Sequence, residues 1–134
     1  MKRQTIASIF IIGLVVGEAV AGQSPTLPST AQKLTGPEII DLYSRKALDF
    51  ENYTKDQSLV GIADFDFTSN KMGGRYDYGH GQDKGNWSGT VRLEGDLLCM
   101  KSGQEEEACV SVYKDETMIY ETNSKGVVTS THKL

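Results

Sequence analysis

Beyond residue 60 the chain alternates apolar and polar side chains with a period of two. Over residues 62–67, Ala63, Phe65 and Phe67 share one parity and Ile62, Asp64 and Asp66 the other. That predicts a half-buried strand with its aspartates turned outward. A turn at 70–74 leads to a short second strand at 75–78, and a polar, glycine-rich loop spans 79–85. Trp87, Gly89, Val91 and Leu93 then fall on one face, opposite Ser88, Thr90, Arg92 and Glu94. Gly95-Asp96 turns into 97–100, an acidic loop covers 102–107, and 109–113 returns. Turns at Asp115-Glu116 and 123–126 introduce two more strands at 118–120 and 127–129. Short runs at such regular spacing predict an antiparallel meander of six or seven strands.

One segment has the other period. Thr35 stands three residues before Glu38, the capping-box spacing, and Pro37 suits a first helical turn. Ile39, Leu42 and Tyr43 follow at helical intervals, and Arg45 and Lys46 complement the negative end of a helix dipole. The pattern predicts one amphipathic helix over 37–46. No second helix exists to carry parallel crossovers. The expected fold is therefore α+β, one N-terminal amphipathic helix packed on a six- to seven-stranded antiparallel meander with the curvature of a half-barrel.

The first 21 residues change the setting. Lys2 and Arg3 precede an apolar run over 6–16, and Ala19-Val20-Ala21 has the small residues a signal peptidase requires. The run is shorter than the roughly 20 residues that span a bilayer. Residues 1–21 thus read as a signal peptide, 22–33 as a flexible proline-containing linker, and 34–134 as a single domain. The expected location is periplasmic or secreted, with no membrane span after cleavage. The chain's 14 basic and 18 acidic side chains give a net charge of −4, without the basic surface that nucleic-acid binding uses.

Export gives the two cysteines a meaning. In an oxidising compartment Cys99 and Cys109 are expected to form a disulfide that pins the register of their hairpin. No CxxC pattern is present, and His80 and His132 alone would have to complete a metal site, so neither metal nor cofactor is expected. No GxSxG, HExxH or phosphate-loop motif occurs. The acids that alternate on the strands, Asp64, Asp66 and Asp77, and the loop residue His80 are the candidates for a small hydrolase. His132, close to the C-terminal end, is expected to fray. The leading reading assigns no catalytic residue. It places a binding surface on Arg75, Tyr76, Asp77, Tyr78, His80 and Trp87, with aromatic side chains for contact and a few polar groups for orientation. Tyr113 and Tyr120 add aromatic surface on later strands.

Taken together, Leu34, Thr35, Gly36 and Glu38, then Trp87, Gly95, Asp96, Cys99 and Cys109, resemble a family of small exported proteobacterial proteins. That family is known only as a domain of unknown function (number 995). The likeness spans about residues 34–122 and is sparse between Phe50 and Gly85. It implies an envelope location in a Gram-negative bacterium and transfers no catalytic residue. In that setting the two glycan-acceptor patterns at Asn52 and Asn86 are chance matches. The expected function is a periplasmic, non-catalytic binding or interaction module whose partner is an envelope protein, a glycan or a small ligand. The alternatives are the small hydrolase and an inhibitor or accessory of an envelope enzyme.

Overall fold

A computed structural model describes residues 24–53, 58–77 and 84–134. The signal-peptide reading, and Tyr78 and His80 of the expected binding surface, lie outside the described residues.

The chain begins with a two-residue strand, β1 (Gln32–Lys33), followed by helix α1 (Gly36–Tyr43). Eight strands follow: β2 (Leu48–Tyr53), β3 (Ser58–Asp66), β4 (Lys71–Asp77), β5 (Lys84–Glu94), β6 (Leu97–Ser102), β7 (Ala108–Lys114), β8 (Met118–Thr122) and β9 (Val128–Lys133). Each pairs antiparallel with the next in sequence, and β2 pairs with β9. The sheet is closed.

This corrects the expected α+β half-barrel. The protein is a mostly-β, closed eight-stranded antiparallel barrel with one short helix. The missing element was β2. Leu48 and Phe50 are buried while Asp49 is exposed, the alternation of a strand. Phe50 faces Gly61 of β3 on one side and His132 of β9 on the other, and so closes the ring.

Glycines on the inward parity let the wall bend. A Cβ at Gly61 would run into the backbone carbonyl of Arg75, one at Gly74 into that of Ile62, and one at Gly89 into that of Lys101. Side-chain-free positions at such corners are what a small barrel needs to turn and close. Phe50 and Met72 lay their side chains over Gly61 and Gly89 and fill the space the glycines leave.

The helix ends three residues earlier than its charge pattern predicts. Thr35 caps it with the reciprocal Glu38 contact, but Ser44 terminates it, its N–H bonded to the Ile40 carbonyl at 3.0 Å. The chain must be extended by Leu48 to supply the closing strand. Arg45 instead pairs with Asp41, 2.6 Å away and largely exposed, where such a pair contributes little.

The helix plugs one end of the barrel. β6 pairs with β7 only as far as Val110, and β1 takes over beside Tyr113 and Lys114. Between them, the Leu34 N–H donates to the Val112 carbonyl at 2.8 Å. The N-terminal segment thus patches the seam where β6 and β7 part. The Gly36 N–H then donates to Asp96 Oδ1 at 2.7 Å, and a Cβ on Gly36 would meet the Gly95 carbonyl at 2.6 Å. This close approach seats the helix start on the β5–β6 turn. Ile39 and Tyr43 point into the barrel and join Leu48, Met72, Val91, Leu98, Val112 and Ile119 in one core.

The Cys99–Cys109 disulfide lies on the outer wall, in direct register between β6 and β7. Arg92, opposite Cys99 on β5, makes a two-pronged contact with Glu107 at 2.8 and 2.9 Å.

Candidate functional site

The lumen has two unlike halves. In the half beneath the helix, Tyr43 reaches from α1 toward Glu121 on β8 and His132 on β9. All three are sealed from solvent, at 0%, 3% and 4% exposure. The Tyr43 hydroxyl donates to Glu121 Oε2 at 2.8 Å, and the same oxygen lies 2.6 Å from His132 Nε2. The imidazole Nδ1 faces the Asp49 carbonyl oxygen at 3.2 Å. A carbonyl only accepts, so Nδ1 carries a proton. One further proton sits between Nε2 and Oε2. Burial pushes the Glu121 carboxyl up, but the charge and hydrogen bond of His132, with the bond from Tyr43, outweigh it and hold the group below its usual range. The Glu121 carboxyl is therefore held between the phenol and the imidazole, with Oε2 as the oxygen both rings reach. Burial, then the Glu121 charge and hydrogen bond, push the Tyr43 phenol well above its ordinary value, so it remains a donor.

Phe65 meets both Tyr43 and His132 edge-on, with centroids 5.0 and 6.4 Å away. Both ring nitrogens of His132 are engaged, which leaves neither to accept a proton from a substrate. The cluster can fasten the helix to the barrel. It is not arranged for acid–base work.

In the other half the inward residues remain partly open. Phe50 and Trp87 meet edge-to-face at 5.9 Å, although β3 and β4 separate their strands, so the contact crosses the lumen. Beyond that waist Asn52, Leu59, Tyr76 and Gly85 take inward positions and are half-buried. Ser130 donates to Asn52 across the β2–β9 pair. Tyr76 lies over Gly85, a Cβ on which would stand 3.2 Å from its hydroxyl oxygen. Trp87 Nε1 is buried and has no hydrogen-bond partner among the described residues.

Of the residues singled out from the sequence, Tyr76 and Trp87 share this open half. Arg75 and Asp77 are on the outer wall of β4, opposite Ile62 and Val60 of β3. Asp64 and Asp66 are exposed on the outer wall too. Asp64 stands opposite Gly73, four residues along β4 from Asp77, and Asp66 is occupied with its own turn. It accepts from the Thr68 hydroxyl at 2.6 Å and from the Thr68 and Ser69 N–H groups, which together hold its carboxyl below the usual range. The structure does not bring these three acids together. Tyr113 and Tyr120 pair on the outer wall, where the Tyr120 hydroxyl donates to Asp115 at 3.0 Å.

The sequence reading missed Tyr43, Phe50, Glu121 and His132 as lumen residues. The signal for Glu121 was its position two residues beyond Ile119, on the same strand parity. His132, expected to fray, is buried in β9 and tied to Asp49, 83 residues away.

Two hollows open on the outside. One, about 470 Å³, is lined by Lys71, Ser88, Thr90 and Lys101 on the wall of β4–β6. The other, about 610 Å³, runs along the helix over Leu34, Leu42, Leu48 and Leu134. Among the described residues, the group with cation-ligand spacing is Cys99, Glu107 and Cys109. Both its sulfurs are in the disulfide, and Glu107 is held by Arg92. No helix among the described residues is long and apolar enough to cross a membrane.

No family model, curated protein or solved structure matches the chain. Its class is therefore an architectural one, a closed eight-stranded antiparallel barrel plugged at one end by a helix.

Proposed function

We propose that this protein is an exported, non-catalytic binding module that receives a small, largely apolar ligand in the open half of its barrel. Eight-stranded barrels have interiors just wide enough to be filled by side chains or to hold one small ligand. The observation that carries the reading is the contrast between the two halves. Ile39, Tyr43, Leu48, Glu121 and His132 beneath the helix are buried, whereas Asn52, Leu59, Tyr76 and Trp87 face inward and remain partly open. An aromatic wall with a few polar groups is the usual lining of a small-molecule site.

Export is supported by the Cys99–Cys109 disulfide, which suits an oxidising compartment. The signal-peptide pattern of residues 1–21 and the resemblance to the exported family number 995 point the same way. A periplasmic address and a Gram-negative source rest on that resemblance and belong to the proposal.

Trp87 is the chain's single tryptophan, so its emission reports on this space alone. Titration with the neutral dye phenylnaphthylamine is expected to give saturable dye emission, with energy transfer from Trp87. A response that rises linearly without saturating, and leaves Trp87 emission unchanged, rejects a lumenal site.

A further inference from the structure

Almost every buried polar side-chain atom in a folded protein has a hydrogen-bond partner, and one without calls for an explanation. Among the described residues, Trp87 Nε1 is the buried side-chain nitrogen or oxygen that has none. A buried indole normally satisfies its N–H, because a donor removed from water and left unmet is unfavourable. The ring itself is held. Phe50 abuts it from across the lumen, and Gly74 faces it from β4. The polar neighbours of the open half are engaged elsewhere: Ser130 donates to Asn52, and Tyr76 has an interaction of its own.

We infer that Trp87 Nε1 is the specificity contact of the lumen, donating to a neutral, flat, largely apolar ligand that carries a hydrogen-bond acceptor on its edge. The inference rests on the lumenal binding site proposed above. Three features select that chemistry. The donor lies beneath the surface, so an acceptor meets it from within the barrel. The walls beside it are aromatic rings and glycine backbone, which suit a planar face. Among the described residues, the inward side chains of the open half, Asn52, Leu59, Tyr76 and Trp87, include no Asp, Glu, Lys or Arg. The Glu121 carboxyl, deeper in the lumen, is already engaged by Tyr43 and His132. A charged ligand would enter without a counter-ion, which is costly in an apolar space.

Naphthalene and quinoline have nearly the same shape, and only quinoline has an acceptor nitrogen, which makes the pair a direct test. Binding of each is measured by equilibrium dialysis to the native protein and to Trp87→Phe. The single indole N–H resonance of the native protein is followed in parallel. The expected result is that Trp87→Phe weakens quinoline about 10-fold more than it weakens naphthalene, the value of one hydrogen bond. The indole N–H resonance moves downfield with quinoline and not with naphthalene. Comparing the two losses cancels the hydration difference between the probes, and the resonance reads the contact even if Trp87→Phe fails to fold. If both probes bind, lose affinity equally and leave the resonance in place, the donor role is overturned while the lumenal site stands. If neither binds, the lumenal site fails, and the donor role with it.

Discussion

The Tyr43 hydroxyl and Glu121 Oε2, 2.8 Å apart, are the polar fastening between the helix and the far wall of the barrel. Tyr43 is the last residue of α1, so this bond fixes how deeply the plug is seated. Tyr43→Phe keeps the ring packed against Phe65 and His132 and removes only the donor. A hydrogen bond to a charged acceptor is worth about 1.5–3 kcal/mol. Urea unfolding is expected to show a loss of about 2 kcal/mol with an unchanged denaturant slope. A loss within error of zero disproves the fastening role.

Removing the acceptor is more damaging than removing the donor. Glu121→Ala leaves His132 Nε2 and the Tyr43 hydroxyl buried without the carboxylate they share, at a cost of about 3–5 kcal/mol. Glu121→Gln behaves differently. Its amide nitrogen, standing in the place of Oε2, can donate one N–H to His132 Nε2 and the other to the Tyr43 hydroxyl oxygen, so both contacts keep a hydrogen bond. Chemical unfolding at neutral pH is expected to place the glutamine variant well above the alanine variant. Equal losses from the two are incompatible with the bonding scheme described for this cluster.

The same carboxyl sets an acid limit. Its folded-state pKa lies below the ordinary glutamate value, so the native protein binds this proton less readily than the unfolded chain does. The stabilisation is fully present above the unfolded value of about 4.5 and is lost as pH falls through the lower, folded-state value. Melting temperature measured from pH 7 downward is expected to fall across that window in the native protein and to fall less in Glu121→Gln. Parallel curves locate the acid sensitivity elsewhere.

Much of this architecture was legible in the chain, for physical reasons. Thr35 and Glu38 cap the helix through contacts three residues apart, which a local pattern reveals. The inward parity of Phe65, Trp87 and Val91 is equally local, since a strand turns each side chain with its neighbour. Closure is not local. Phe50 finds His132 across nearly the whole domain, and no window of sequence contains both. β2 was further obscured because Leu48 and Phe50 follow directly on a helical pattern. His132 looked like a chain-end residue because its partners, Asp49 and Glu121, are brought to it only when the barrel closes. Within the open half, the inward parity of Trp87 was readable, whereas its unmet N–H depends on what the opposite wall presents.

Gly74 and Gly95 separate two reasons for a glycine. Gly95 has a positive φ of 61° and open space where a Cβ would stand, so Gly95→Ala brings backbone strain of about 1 kcal/mol and no collision. At Gly74 a Cβ would strike the Ile62 carbonyl on the neighbouring strand. Neither strand can retreat without opening the wall at its corner. Gly74→Ala is therefore expected to lose its cooperative thermal transition, or to shift it several times further than Gly95→Ala does. Differential scanning calorimetry of the pair checks this, and similar shifts contradict the close approach.

The disulfide closes a short hairpin, its cysteines ten residues apart in sequence, between two strands already in register. Loop-closure models give a bridge of this span about 2–3 kcal/mol, mostly by restricting the unfolded chain. Its position matters as much as its strength. Beyond Val110 the barrel wall passes from the β6–β7 pair to the short β1 patch, so the Cys99–Cys109 link lies beside the weakest seam. The double variant Cys99→Ser, Cys109→Ser is expected to lose about 2–3 kcal/mol in urea unfolding. Hydrogen exchange is expected to accelerate first at Leu34, whose N–H bridges that seam to Val112. Uniform acceleration over all strands fits a purely unfolded-state effect and argues against a local role for the bridge.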